Sequence, residues 1–172
     1  LVETIPLAIN RPLASMDLVA EERVNLPDAQ IASPRVLVNH VSRGHFRTLG
    51  IPLMEGRDFD AQDVARAPRV VIINETTARR FWPGERAVGK RFRLGGESAT
   101  IVGVARDSKY ESITEEPKAM VYAPIAQARG LFDATLLMKA SGDARTASGL
   151  SRSLIADLDP NLVVTNLNTL DD

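Results

Sequence analysis

Any chemistry done by this chain would have to come from a short list of side chains. The only histidines are His40 and His45, with Asp58, Asp60 and Asp63 downstream. Two imidazoles and a carboxylate form a set that several transition metals accept. However, a histidine on a predicted strand and another on a helical turn have no required common direction. The aspartate spacing also lacks the glycine and closing glutamate of a calcium loop, so no metal site is expected. Glu115 and Glu116 are paired carboxylates, but adjacent residues before Pro117 point to an exposed loop rather than an acid and a base across a cleft. No serine lies in a Gly-x-Ser-x-Gly elbow. With no cysteine there is no thiolate, disulfide or cysteine-ligated zinc. "GGES" (Gly95 to Ser98) lacks the Lys-Ser/Thr ending of a phosphate loop and leads into a strand, whereas anions bind at helix N-termini. No catalytic residue and no cofactor are expected, and an enzyme is disfavoured.

The most organised stretch is "VVIINETTARRFWPGERAVGKRFRL", Val70 to Leu94. Val70 to Ile73 has strand length. Asn74 then stands where a helix N-cap belongs, its side-chain oxygen able to accept from a free N–H of the first turn. Glu75 follows at the positive end of the helix dipole. The glutamate of a full capping box is replaced by Thr77. Ala78, Phe81 and Trp82 share one helical face that would pack on a sheet. Arg79 and Arg80 fall near the negative end, and Pro83 with Gly84 stops the helix. Beyond it Arg86, Lys90, Arg91 and Arg93 form a basic cluster. Its plain reading is a solvated face guarding an edge strand; its sharper reading is contact with an anionic ligand or an acidic partner surface. No aromatic residues interleave there, which argues against single-stranded nucleic acid.

The elements that must position these residues follow from the pattern on either side. Leu1 to Pro6 reads as a short strand, and a loose polar segment broken by Pro27 and Pro34 follows. "RVLVNHVS" alternates as a strand does. "RGHFRTLG" is a short helical turn ending at Gly50, and "IPLMEGRDF" is extended until it turns at Gly56. Lys90 to Leu94 and Ala99 to Ala105 form a hairpin across the double glycine. Met120 to Ala123 is a strand ending at Pro124. After Gly130 come a strand (Ala134 to Ala140), a helix (about Ala144 to Leu158) and another strand (Leu162 to Leu167), a βαβ-like tail.

Composition sets the outer bounds. In 172 residues, 44% hydrophobic and 25% charged, there is room for one domain or two small ones with an ordinary soluble core. A net charge of −1 gives no reason to expect nucleic acid or an anionic membrane surface as the main partner. The longest apolar runs are far shorter than the ~20 residues of a membrane span, and no signal-peptide pattern opens the chain. A start at Leu1 rather than Met suggests a piece of a longer protein.

Three motifs in order, "VSRGHFRTLGIPLMEGRDF" (Val41 to Phe59), Val70 to Leu94 and "TIVGVARD" (Thr100 to Asp107), closely resemble the MacB-like periplasmic core domain of FtsX-like ABC-transporter permeases, of the orphan type without a fused ATPase. The resemblance implies an α+β fold of two lobes. A porter-like mixed βαβ lobe would take residues 1–40 plus 130–172. An inserted, sabre-like, mostly antiparallel β lobe with a short helix would take 41–126. It also implies an extracytoplasmic (periplasmic) location in a bacterial inner-membrane protein. The implied role is non-enzymatic: transmitting conformational change, contacting substrate or partner proteins, or both. The alternative is a ligand- or lipid-binding module with a groove between the lobes. Implied partners are transmembrane helices of the same chain, a separate ATPase subunit, and a periplasmic adaptor or second permease copy. The usual first strand and helix of the porter lobe are not recognisable before Leu1, so an open sheet edge is expected there. A hinge is expected around Val41 and Gly130.

Overall fold

In the computed structural model the described residues are 7–10, 14–20, 35–109, 116–128, 135–138 and 155. Contacts divide the chain into two compact units, Pro6–Met138 and a second made of Leu1–Ile5 with Lys139–Asp172. In the second unit Ile155 is helical and half-buried; the rest of the expected tail helix and the strand at 162–167 lie outside the described residues, as does the strand at 1–6.

The first unit is built from β1 (Leu7–Asn10), β2 (Ala14–Ala20), β3 (Arg35–Val41), α1 (His45–Leu49), β4 (Leu53–Gly56), β5 (Val70–Asn74), α2 (Glu75–Phe81), β6 (Arg91–Leu94), β7 (Glu97–Ala105), β8 (Met120–Pro124) and β9 (Thr135–Met138). The segment expected to be loose contains β2. Ser15 and Asp17 alternate there with Met16 and Leu18, a weak strand signal between proline-broken stretches. Its place is set by partners far along the chain. Its first half pairs with β3 (Ala14↔Val38 to Asp17↔Arg35) and its second with β6 (Leu18↔Leu94 to Ala20↔Phe92).

That double pairing closes the sheet. The order β2-β6-β7-β5-β8-β3 returns to β2, so six strands form a ring, with β4 attached to β7 and β1–β9 extending from β3. The pairing is mixed. β3–β8 and β5–β7 are parallel, whereas the other pairings among described residues are antiparallel. Closure removes the free edges of those six strands, and small barrels of this kind fill their interiors with side chains.

Inside lie Val36, Val38, Val71, Ile73, Phe92, Ala99, Ile101 and Val121, with Phe81 of α2 and its C-cap Trp82 packed into the same cluster. On the outer face, Val41, Phe46, Phe59, Ile72, Ala105, Met120 and Tyr122 form a second core. The run Val70 to Ile73 is uninterrupted because β5 is covered on both faces, as an alternating strand with one wet face is not. Along β7 the inward set changes phase. Ile101 faces in and Val102 out, yet Val104 joins the inner cluster and Ala105 the outer one. The shift coincides with a bulge opposite Val71 and Ile72 of β5, the extra residue that a bulge inserts. The hairpin turns at Gly95 and Gly96, with φ of 57° and 86°. Positive φ at both central residues is what a two-residue turn matching strand twist requires.

His45 is fully buried on the outer face, edge-on to Phe46 at 5.3 Å between ring centroids and 6.0 Å from Tyr122. Burial lowers its pKa from 6.5 to about 4. Below pH 6.5 the unfolded chain takes up a proton that the folded chain refuses until about pH 4, so stability falls through that window and is flat above it. The loss expected across it is about 3 kcal/mol. Asp58, whose pKa burial raises, favours the folded state as pH falls toward the carboxylate range, so the histidine contribution is read by difference. Urea unfolding of wild type and His45→Leu from pH 7.5 to 4 should show a steep decline that the variant lacks. Equal slopes would mean that His45 is protonated in the fold.

Candidate functional site

Among the described residues the densest polar cluster sits where β5 and β7 end and β8 begins. Asn74 is fully buried there, both the last residue of the covered strand β5 and the N-cap of α2. Its Nδ2 donates to Asp107 Oδ1 (2.7 Å) and to the Lys118 carbonyl (2.8 Å). Its Oδ1 accepts from the backbone N–H groups of Thr77 and Met120 (both 3.0 Å) and from Thr77 Oγ1 (2.7 Å). Thr77 also approaches the Met120 carbonyl at 2.9 Å. The missing capping-box glutamate is thereby explained: a buried threonine bridges α2 to β8, and a longer charged side chain would have to be accommodated in that space.

Asp107 completes the arrangement. It accepts from Thr76 N (2.9 Å), Thr76 Oγ1 (2.8 Å) and Arg79 Nη2 (2.9 Å), while its own N–H donates to Glu75 Oε2 at 3.1 Å. Asn74 thus ties both ends of the 108–119 connection to the start of α2. In chemical terms both amide hydrogens of Asn74 and its oxygen are engaged, and Asp107 is saturated by a capping N–H, a hydroxyl and a guanidinium. Such a set holds backbone in place; it leaves no oriented base beside a nucleophile. The sequence reading found Asn74, Glu75 and Thr77 but not Asp107, whose only signal is an aspartate directly after a long strand.

A second polar set organises the turn after β4. Arg57 makes a bidentate pair with the buried Asp63 (2.8 and 3.0 Å), and Asp63 also accepts from Asp60 N at 2.8 Å. The Arg57 hydrogen bond holds Asp63 below the ordinary carboxylate range. The histidines weighed as metal ligands are not brought together. His40 lies on the strand face shared with Val38, and His45, the first residue of α1, lies beside Tyr122. His40 thus shares its side of β3 with Val38 of the inner cluster, whereas His45 packs on Phe46 and Tyr122 of the outer core, and Asp63 is already committed to Arg57. Among the described residues no cluster of three potential metal ligands occurs. Glu116 is exposed before Pro117, and Glu115 lies outside the described residues.

The basic residues are dispersed over one region. Arg91 and Arg93 stand on the outward face of β6, on either side of the buried Phe92, and Arg91 Nη2 donates to Ser98 Oγ at 2.9 Å. Lys90 pairs with Glu85 at 3.1 Å, and Arg86 reaches Glu55 of β4 at 3.7 Å. At the barrel end where β5 and β7 begin, a cavity of about 90 Å³ opens among Val38, His40, Leu94 and Gln127, rimmed by Arg69 and Glu97. Those last two are ion-paired at 2.6 Å. Gln127 is buried and clips the 64–70 segment, its Nε2 donating to the carbonyls of Val64 (3.2 Å) and Pro68 (3.1 Å).

Comparison with known proteins places this geometry. The extracellular domain of a noncanonic ABC-type transporter, YknZ, from Gram-positive bacteria superposes with a TM-score of 0.64 at 16% identity, covering 92% of this chain and 79% of that one. The periplasmic region of MacB from Actinobacillus actinomycetemcomitans gives 0.66 at 15% identity, covering 88% and 66%. At these identities the likeness is one of fold. In sequence, a probable export ATP-binding/permease protein MacB of Pseudomonas entomophila is 39% identical over 75 residues, 43% of this chain and 11% of that protein. A macrolide export ATP-binding/permease protein MacB 1/2 of Paracoccus denitrificans is 29% identical over 126 residues, 70% of this chain and 18% of that protein. The chain thus spans less than a fifth of the length of these curated relatives. The model of the MacB-like periplasmic core domain matches residues 4–157. With nine-tenths of its length inside that match and the fold to go with it, this chain belongs to the MacB-like periplasmic core domain family.

Proposed function

We propose that this chain is a non-enzymatic, extracytoplasmic domain of an ABC-transporter permease, passing conformational change between membrane helices of its own polypeptide and partner proteins. The observation that carries the reading is a conjunction. The family match runs over residues 4–157, and a dense polar cluster among the described residues spends its hydrogen-bonding capacity on itself around Asn74 and Asp107. The partners of this reading are a separate ATPase subunit and a periplasmic adaptor or second permease copy. Arg86, Lys90, Arg91 and Arg93 are the proposed contact for an acidic partner surface. The ion pairs Arg86–Glu55 and Lys90–Glu85 are exposed or half-exposed, and pairs of that kind contribute little, so exchange for a partner's carboxylates costs little.

The lobe assignment, 41–126 against 1–40 with 130–172, is proposed on resemblance alone. Strands at 7–10, 14–20 and 35–41 hydrogen-bond into the sheet of 41–126. They favour a narrower second lobe, Leu1–Ile5 with Lys139–Asp172. The ligand-binding alternative gains nothing from the barrel mouth. Its cavity of about 90 Å³ is well below the ~300–1,000 Å³ of small-molecule sites.

The test uses the parent permease with Pro6–Met138 excised and Ile5 joined to Lys139 by a short glycine linker. The ATPase subunit should still co-purify and hydrolyse ATP, while extracytoplasmic partner proteins drop out of the complex. Retention of every partner, or chemical turnover by the isolated chain, would overturn the proposal.

A further inference from the structure

Among the described residues two large apolar side chains stand well out in solvent, Met54 at 47% exposed and Val64 at 49%. Single exposed apolar residues are common on protein surfaces and need no explanation. Val64 differs in how it is held. Its N–H donates to the Gln62 carbonyl (2.8 Å), and its own carbonyl accepts from Ala67 N (2.9 Å) and Gln127 Nε2 (3.2 Å). The turn before it is fixed by the Arg57–Asp63 pair, and the strand after it by a bond from Val70 N to Gln127 Oε1 at 3.3 Å. The side chain is thus presented on backbone with little freedom left to lose on contact.

The same Gln127 lines the cavity at the barrel mouth. A fixed apolar knob and a hole therefore lie side by side on one surface, tied to one buried side chain. The hole is apolar along its wall, formed by Val38, Leu94 and Ala99, and polar at its rim, where Arg69 and Glu97 pair. An apolar cavity of about 150 Å³ takes benzene, which is about 25 Å³ per carbon. On that scale a cavity of about 90 Å³ has room for roughly three or four carbons. That is too few for a small-molecule ligand and the right number for the isopropyl group of a valine.

We infer that this end of the barrel is a two-fold contact between copies of the chain, Val64 of each copy entering the mouth cavity of the other. A knob and a hole on distant faces would join copies head to tail. Side by side, both are satisfied at once by a single two-fold axis, and assembly stops at two. Charge permits the approach. The rim carries one cation and one anion, both half-exposed, so facing rims can pair Arg69 with the partner's Glu97 and like charges need not meet. The contact is small, hence weak between free chains and strengthened where a membrane holds two copies together. The inference deepens the proposed function by giving the second permease copy a surface, and it rests on that reading for its purpose. The contact is tested on the chain by itself, so either can fail without the other.

Sedimentation velocity of the full chain should show a monomer–dimer equilibrium at about 0.1–1 mM, the strength expected of a small contact. Val64→Asp removes the knob, and Ala123→Leu fills the hole from its own wall. Each should weaken association about tenfold or more, the effect of losing a buried aliphatic group. Thermal unfolding separates this from misfolding: neither variant should melt below wild type, since Val64 is exposed and the longer side chain at position 123 occupies existing space. Because the chain has no cysteine, cross-linking gives a second measurement. A mixture of Val64→Cys and Ala123→Cys chains should form the mixed disulfide about tenfold faster than Met54→Cys with Ala123→Cys. A wild type that stays monomeric, association that survives either substitution, or equal cross-linking of the two mixtures overturns the inference.

Discussion

Asn74→Ala is expected to lower the unfolding free energy by about 3–5 kcal/mol, since it removes an N-cap and leaves several buried backbone groups unpaired at once. The substitution strips the Thr77 and Met120 N–H groups of their acceptor and the Lys118 carbonyl of its donor, and Asp107 loses one of its partners. Asn74 is fully buried, so water does not replace those bonds without opening the junction of β5, α2 and β8. Asn74→Asp should not rescue the loss. A carboxylate keeps the acceptor role but has no hydrogens for Lys118 O or Asp107, and it sets two negative charges against each other. Urea unfolding followed by Trp82 fluorescence checks both variants. A loss below about 1 kcal/mol for Asn74→Ala, the size of a simple exposed cap, would show that the network is not a structural junction.

Gly56→Ala should be comparably severe, and its reason is geometric. Gly56 has φ +75° at the end of β4, and a Cβ there would collide with the Val102 carbonyl and lie 2.8 Å from Gly103 Cα. The strand cannot retreat easily, because Arg57 N donates to that same carbonyl at 2.9 Å. Gly103 is the other half of the contact, since a Cβ on it would sit 2.7 Å from the Arg57 carbonyl. Gly84 supplies the internal control: it has the same φ of +75° with nothing within 4 Å of an added Cβ. Gly84→Ala should cost about 1–2 kcal/mol, the ordinary penalty for a left-handed alanine, and Gly56→Ala about 3 kcal/mol or more, with overpacking added. Equal losses in the two variants would mean that the β4–β7 approach is slack.

The local elements around the polar network were legible because each carried its own short-range instruction. An asparagine before "ETTARRF" caps a helix wherever it occurs. Phe81 and Trp82 at the end of that helix must find cover, and a double glycine between alternating segments turns a hairpin. These depend on residues within about one helical turn or one β-turn of each other, so the amino-acid order alone determines them. It also marked the family, because three such motifs in order survive where single ones would not be distinctive.

What the tertiary structure alone decided is pairing at long range. Nothing in "ASMDLVA" says that it will meet Val38 on one side and Phe92 on the other, yet that meeting closes six strands into a barrel. Asp107 is an ordinary post-strand aspartate until Asn74 and Thr76, some thirty residues earlier, arrive beside it. His40 and His45, neighbours in the chain, end on opposite faces of one sheet. Leu7 and Met138, at opposite ends of a unit, end in one register pair. The physical reason is common to all four. Helix caps and turns are fixed by local hydrogen bonds and φ preferences, whereas strand partners are chosen by the burial of entire faces, which is settled only when the whole sheet assembles.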